Sequence, residues 1–139
     1  MSEEAVVVWR GGVRFEAEAR GHRLAIDQPK DEGGRDEGMT PLECLGVSLG
    51  SCVAYFVARF AQRHALALEA LRVDVTWDYA ERPHRVGRFL VRVGYRGTVD
   101  ALMRERLLAV AQGCTVHHTL THPPDVSVTL TDLPAEAPG

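Results

Sequence analysis

Four residues of this chain have types and spacing that could do chemistry: Glu43, Cys44, Cys52 and Cys114. Thiolate, not thiol, is the nucleophile and metal ligand, so a working cysteine needs a neighbourhood that favours the ionised form. Cys52 sits inside "TPLECLGVSLGSCVAYFVARFAQRHAL" (residues 40–66), which reads as one long apolar helix. Two readings stand for it. Free cysteine is a common small hydrophobe in cores. Alternatively, the helix exists to hold a reactive thiol. Cys114 follows Gly113 at the end of a later helix and opens another turn. There the exposed backbone N–H groups would lower its pKa, and packing is again the competing reading.

Helix geometry sorts the remaining candidates. Cys44 precedes Cys52 by eight residues, about 12 Å along a helix axis. That exceeds the roughly 7 Å between Cα atoms that a disulfide tolerates, so Cys44 is assigned to packing. Glu43 precedes Cys52 by nine residues, about 900° or half a turn net. The two therefore point to opposite sides of a straight helix. A helper role for Glu43 needs a bend at the helix start or a site built with a partner chain. Its structural role is complete without that: Thr40 as N-cap, Pro41 at N1 and Glu43 at N3 make a capping box. His118 and His122 are spaced i, i+4, and with Cys114 could hold zinc. No CxxC or HExxH accompanies them, and no metal or other cofactor is assigned.

These residues must be positioned by elements that the pattern suggests. "VVVWRGGVRFEAEARGHRLAID" contains three strand-like runs, 5–10, 13–19 and 22–27, with turns at Gly11-Gly12 and Gly21-His22. Gln28 to Met39 is polar with three glycines and reads as a loop or flap. The long helix should run from Thr40 to about residues 64–66. Gly46 and Gly50 each cost a helix about 1 kcal/mol against alanine, which points to close approach of another backbone or a ligand. The first half of the helix has almost no polar face, and such a helix is buried on all sides. A chain this short can hardly surround it alone, so a partner subunit should cover part of it. Runs 71–80 and 84–97 read as a hairpin turning at Glu81, Arg82 and Pro83. Residues 99–113 read as a second helix, apolar at Leu102, Leu107, Leu108 and Val110. A short helical turn follows to the Pro123-Pro124 stop. Residues 125–133 alternate and are expected to be a closing strand, with a loose tail from Pro134 to Gly139. The order is that of an α+β fold, antiparallel sheets packed on two main helices, rather than a parallel α/β fold.

Composition narrows the function classes. The length suits one domain. A net charge of -3 argues against nucleic-acid binding. No transmembrane span and no signal peptide are expected, since charges interrupt every long apolar run and the first apolar stretch is short. An odd cysteine count with no export signal suggests a reducing, cytoplasmic setting. The cations are fifteen Arg and the single Lys30.

Together these residues resemble the OsmC/Ohr family of organic hydroperoxide reductases and their relatives. The match lies in "GGRDEGMTPLECLGVSLGSC": a Gly-rich loop, then T-P-x-E, then an apolar helix with a cysteine nine positions after the glutamate. Cys114 in "GCTVHHTL" stands where the family has its second cysteine before a short helical turn, and "VWRGGVRFEAEA" looks like the family's first hairpin. The resemblance covers nearly the whole chain, 1–139, as one OsmC-like domain. It implies an intertwined homodimer with two sites at the interface, and a thiol peroxidase acting on organic hydroperoxides. Cys52 would be the peroxidatic thiol and Cys114 the resolving thiol, the two forming a disulfide that a dithiol recycles. Glu43 and an arginine would hold the thiolate ready; Arg14 and Arg35 are the candidates, with Arg14 preferred. An apolar wall of Val47, Leu49, Val53 and Phe56 would favour lipid-like hydroperoxides. The sequence departs from the peroxidase pattern at Thr115, where those members often have proline. Competing readings are an OsmC-fold redox sensor or small-ligand binder without efficient turnover, and a metal-binding domain around Cys114 and the histidines.

Overall fold

The computed structural model describes residues 3–135 and divides them into an N-terminal sheet and a helix-and-hairpin body. The sheet is an antiparallel meander of β1 (Val6–Trp9), β2 (Phe15–Ala19) and β3 (His22–Ile26), in the order β1-β2-β3. Its turns fall where the glycines predict. Gly11, Gly12 and Gly21 all take positive φ, which costs glycine nothing sterically. The loop after β3 contains a 3₁₀ turn at Lys30–Glu32 and returns to the sheet where Ile26 bridges Met39.

Helix α1 (Pro41–Arg63) starts on the capping box read from the sequence. The Glu43 amide donates to Thr40 Oγ1 at 3.1 Å, and the Thr40 amide donates to Glu43 Oε1 at 2.8 Å. One stripe of α1 is buried: Gly46, Leu49, Gly50, Val53, Val57 and Ala61. It lies against the hairpin of β4 (Leu68–Ala80) and β5 (Arg85–Gly97). The hairpin alternates, so cross-strand pairs Val73–Val93, Val75–Val91 and Trp77–Phe89 face the helix together. The helical glycines have the expected use. A Cβ on Gly46 would stand 2.7 Å from the Trp77 ring, and one on Gly50 would stand 2.9 Å from Val75 Cγ2. Helices α2 (Ala101–Ala111) and α3 (Thr115–Thr121) pack on the other side of α1 through Leu107, Ala111 and Cys114. The architecture is α+β with two antiparallel sheets.

Two expectations are corrected, for residues 125–133 and for the apolar positions of α2. Residues 125–133 form no strand. Val128 is 88% and Leu130 100% exposed; a strand needs a partner ladder, and among the described residues none pairs with this run. As expected of a chain too short to surround it alone, α1 is not buried all round; Val47 and Tyr55 are exposed. Of the apolar positions assigned to α2, Leu107 enters the core, whereas Leu102 and Leu108 are exposed. Helix α1 is long and apolar enough to cross a membrane by length and composition alone. Its contacts with the hairpin, α2 and α3 make it the central helix of the body. The end of the tail, 136–139, lies outside the described residues.

Candidate active site

Cys52 projects from α1 toward α2 and α3, half-buried against the cluster of Leu49, Val53, Val57, Leu107, Ala111 and Cys114. Cys114 is wholly buried at the N-cap of α3, where its Sγ accepts from the His117 amide at 3.2 Å. Both thiols belong to this one packed cluster, and the nearness of Cys52 helps push the Cys114 pKa up. The structure therefore brings together two thiols that are 62 residues apart in sequence (114 − 52), both of them free.

The helix N-terminus does not lower the Cys114 pKa as the sequence suggested. Burial pushes this thiol up. The His117 amide bond works in the opposite direction, while neighbouring Cys52 adds to the rise. Cys44 is also raised, first by burial and then by the charge of Glu43.

Glu43 lies on the far side of α1. It lines an apolar groove of about 450 Å³ with Met39, Gly46, Val47, Gly50 and Trp77, and Cys52 is not part of that groove. The half-turn offset between Glu43 and Cys52 is thus realised on one continuous helix. The apolar wall read from the sequence is split as well. Leu49, Val53 and Phe56 belong to the thiol side, whereas Val47 belongs to the groove.

The arginines sit in the N-terminal sheet and its loop. Arg14 precedes β2, and its Nε lies 3.0 Å from Glu37 Oε2. That ion pair is too bent to be a hydrogen bond, and the buried Nε has no other acceptor. Arg35 is exposed, and its backbone amide donates to Asp27 Oδ2 at 3.2 Å. Among the described residues, neither arginine is one of the groups that shift the Cys114 thiol. Sequence reasoning missed Asp27, a carboxylate only 1% exposed. Its signal was an acidic residue closing an apolar strand directly before a Gly-rich loop. Among the described residues no three His, Cys, Asp or Glu side chains converge as metal donors.

A meander joined to a hairpin and a central helix, with Cys52 and Cys114 in one cluster beside that helix, defines an α+β protein with two neighbouring thiols. Residues 34–129 match the model of the OsmC-like protein family, and the chain belongs to that family. Among solved structures, a candidate osmotic stress induced and detoxification response protein from Psychrobacter arcticus is 22% identical, with a TM-score of 0.76 and coverage of 86% of this chain and 88% of the other. An OsmC-like protein from Mycoplasma pneumoniae is 17% identical, with a TM-score of 0.75 over 88% and 89%. An organic hydroperoxide resistance protein OsmC from Legionella pneumophila is 17% identical, with a TM-score of 0.58 over 86% and 89%. No curated protein sequence matches significantly.

Proposed function

We propose that this protein is a thiol peroxidase that reduces organic hydroperoxides to alcohols. The observation that carries the reading is the packing of Cys52 against the apolar cluster that holds the Cys114 thiol. The Cys52 thiolate attacks the distal peroxide oxygen, the O–O bond breaks, and the alkoxide leaves as alcohol after taking a proton. Cys52 is then a sulfenic acid. The Cys114 sulfur attacks it, water leaves, and a Cys52–Cys114 disulfide forms. An external dithiol reduces that disulfide by two exchanges and is itself oxidised to a disulfide. Adjacent thiols suit this cycle because the second bond needs only local movement.

The rest of the site is proposed to come from a second copy. One chain leaves Glu43 on the wrong side of α1 and Arg14 and Arg35 in a sheet apart from the thiols. It also leaves the Val47 face of α1 and the run 126–130 uncovered. A homodimer covers these surfaces and supplies an arginine, whose charge is permanent, to the partner's thiolate. Arg14 is the better placed of the two, since its guanidinium is partly enclosed and held by Glu37.

Turnover of cumene hydroperoxide with a dithiol tests the reading. Cys52→Ser is expected to lose turnover by at least a hundredfold, and peroxide-treated wild type to yield a Cys52–Cys114 peptide. Full activity in Cys52→Ser rejects the peroxidase. The second reading is a redox sensor of the same fold. The complete burial and raised pKa of Cys114 favour it, since both slow a resolving thiol. Oxidation that stops after one equivalent would select it over the peroxidase.

A further inference from the structure

Asp27 is the most completely buried carboxylate among the described residues, and nothing in the peroxidase cycle uses it. It directly follows β3 and faces into the loop of residues 28–38. Three backbone amides converge on it: Gln28 donates to Oδ1 at 2.8 Å, while Arg35 and Glu37 donate to Oδ2 at 3.2 and 3.1 Å. The loop is wrapped around this group. The ends of the loop are closed by the Asp27 amide, which donates to the Met39 carbonyl at 3.2 Å. A Cβ on Gly34 would collide with the Gln28 carbonyl and stand 2.8 Å from Asp27 Oδ1. The three amide bonds, led by that from Gln28, hold the Asp27 carboxyl below the usual carboxylate range against the opposing effect of burial, and the Arg14 charge adds to the lowering. Glu37, whose amide is one of the three, is the residue whose side chain reaches Arg14 Nε.

We infer that Asp27 is a positioning residue for Arg14: its carboxylate folds the loop, the folded loop delivers Glu37 to the guanidinium, and Glu37 fixes where that charge points. A neutral amide at position 27 can accept through only one atom. Whichever way it turns, Asp27→Asn sets its NH2 group against at least one of the three amides, and the loop that holds the Glu37 carboxylate loosens. The functional half of this inference rests on Arg14 serving the partner's thiolate; the structural half does not.

The experiment follows the Arg14 Nε–H resonance by NMR in ¹⁵N-labelled full-length protein, alongside kcat/KM for cumene hydroperoxide. In wild type the resonance should be distinct and slow to exchange. In Asp27→Asn, and in Glu37→Gln, it should collapse toward that of a free arginine. In both variants kcat/KM should fall about tenfold. The Asp27→Asn/Arg14→Ala double variant should be no slower than Arg14→Ala, because residues acting through one another are not additive. An unmoved Arg14 resonance in Asp27→Asn, with any of the Gln28, Arg35 and Glu37 amides deprotected, overturns the inference. So does additivity in the double variant. If Asp27→Asn fails to fold, an unmoved resonance in Glu37→Gln overturns it instead. If wild type turns over no peroxide, the peroxidase reading falls and the resonance alone decides the role of Asp27.

Discussion

At the scale of single residues, position separates roles that residue type leaves merged. Cys44 and Cys52 are eight apart on one helix, yet Cys52 packs against the cluster that holds Cys114 while Cys44 stays with its own helix end, where it is raised by burial. Glu43 carries two roles that a single substitution can divide. A glutamine side chain at this position would still accept from the Thr40 amide through its oxygen, so the capping box survives Glu43→Gln, while the negative charge is lost. If Glu43 serves the partner's site, Glu43→Gln should keep its thermal unfolding within about 0.5 kcal/mol of wild type yet lose peroxide turnover about tenfold or more. Thr40→Ala should do the reverse, costing about 1 kcal/mol of stability with kcat nearly intact. Equal loss of activity in both variants would mean that Glu43 acts only through the cap.

At the scale of elements, the deciding contact is between α1 and the hairpin. Gly46 is the point of closest approach, with the Trp77 ring where a Cβ would go. Two effects oppose each other in Gly46→Ala. Helix propensity favours alanine by about 1 kcal/mol. Overpacking against a rigid ring costs about 1–3 kcal/mol. The Cβ would stand only 2.7 Å from an aromatic carbon that cannot flex away, so packing should win. Gly46→Ala is expected to destabilise by about 1 kcal/mol in urea unfolding, the difference between those two effects; a gain in stability would show that the ring shifts freely. The same comparison explains what could be read from sequence. The capping box, the helical glycines and the alternating hairpin each express a local rule, and each appears within a few residues of where the pattern placed it. Asp27 and the nearness of Cys52 to Cys114 express no local rule. Loop closure brings three amides to the one, and the packing of α3 under α1 brings the two thiols together. The helix-terminal cysteine misled for the same reason: burial outweighs an amide hydrogen bond, and burial is not a local property.

At the scale of the whole molecule, the surfaces that failed to match the sequence pattern are those that one chain cannot satisfy. Residues 126–130 alternate as a half-buried strand would, yet Val126, Val128 and Leu130 are almost fully exposed. Helix α1 has the composition of a helix covered all round and exposes Val47 and Tyr55. The N-terminal sheet exposes Val6, Val7 and Trp9. Scattered exposed apolar residues are ordinary, but apolar residues left exposed on three segments are surfaces that the proposed second copy would cover. A second copy answers all three, and it also answers the separation of Arg14 from the thiols. The purified protein should therefore sediment as a dimer at micromolar concentration. Burying a leucine contributes about 1.5–3 kcal/mol, and every 1.4 kcal/mol is tenfold in affinity. Leu130→Asp should then weaken the dimer at least tenfold and lower peroxide turnover in step with the monomer fraction, and raising the protein concentration should restore both. A wild-type monomer at these concentrations would remove the shared site. Full turnover by dissociated Leu130→Asp would show instead that one chain assembles the thiol site without a partner's arginine.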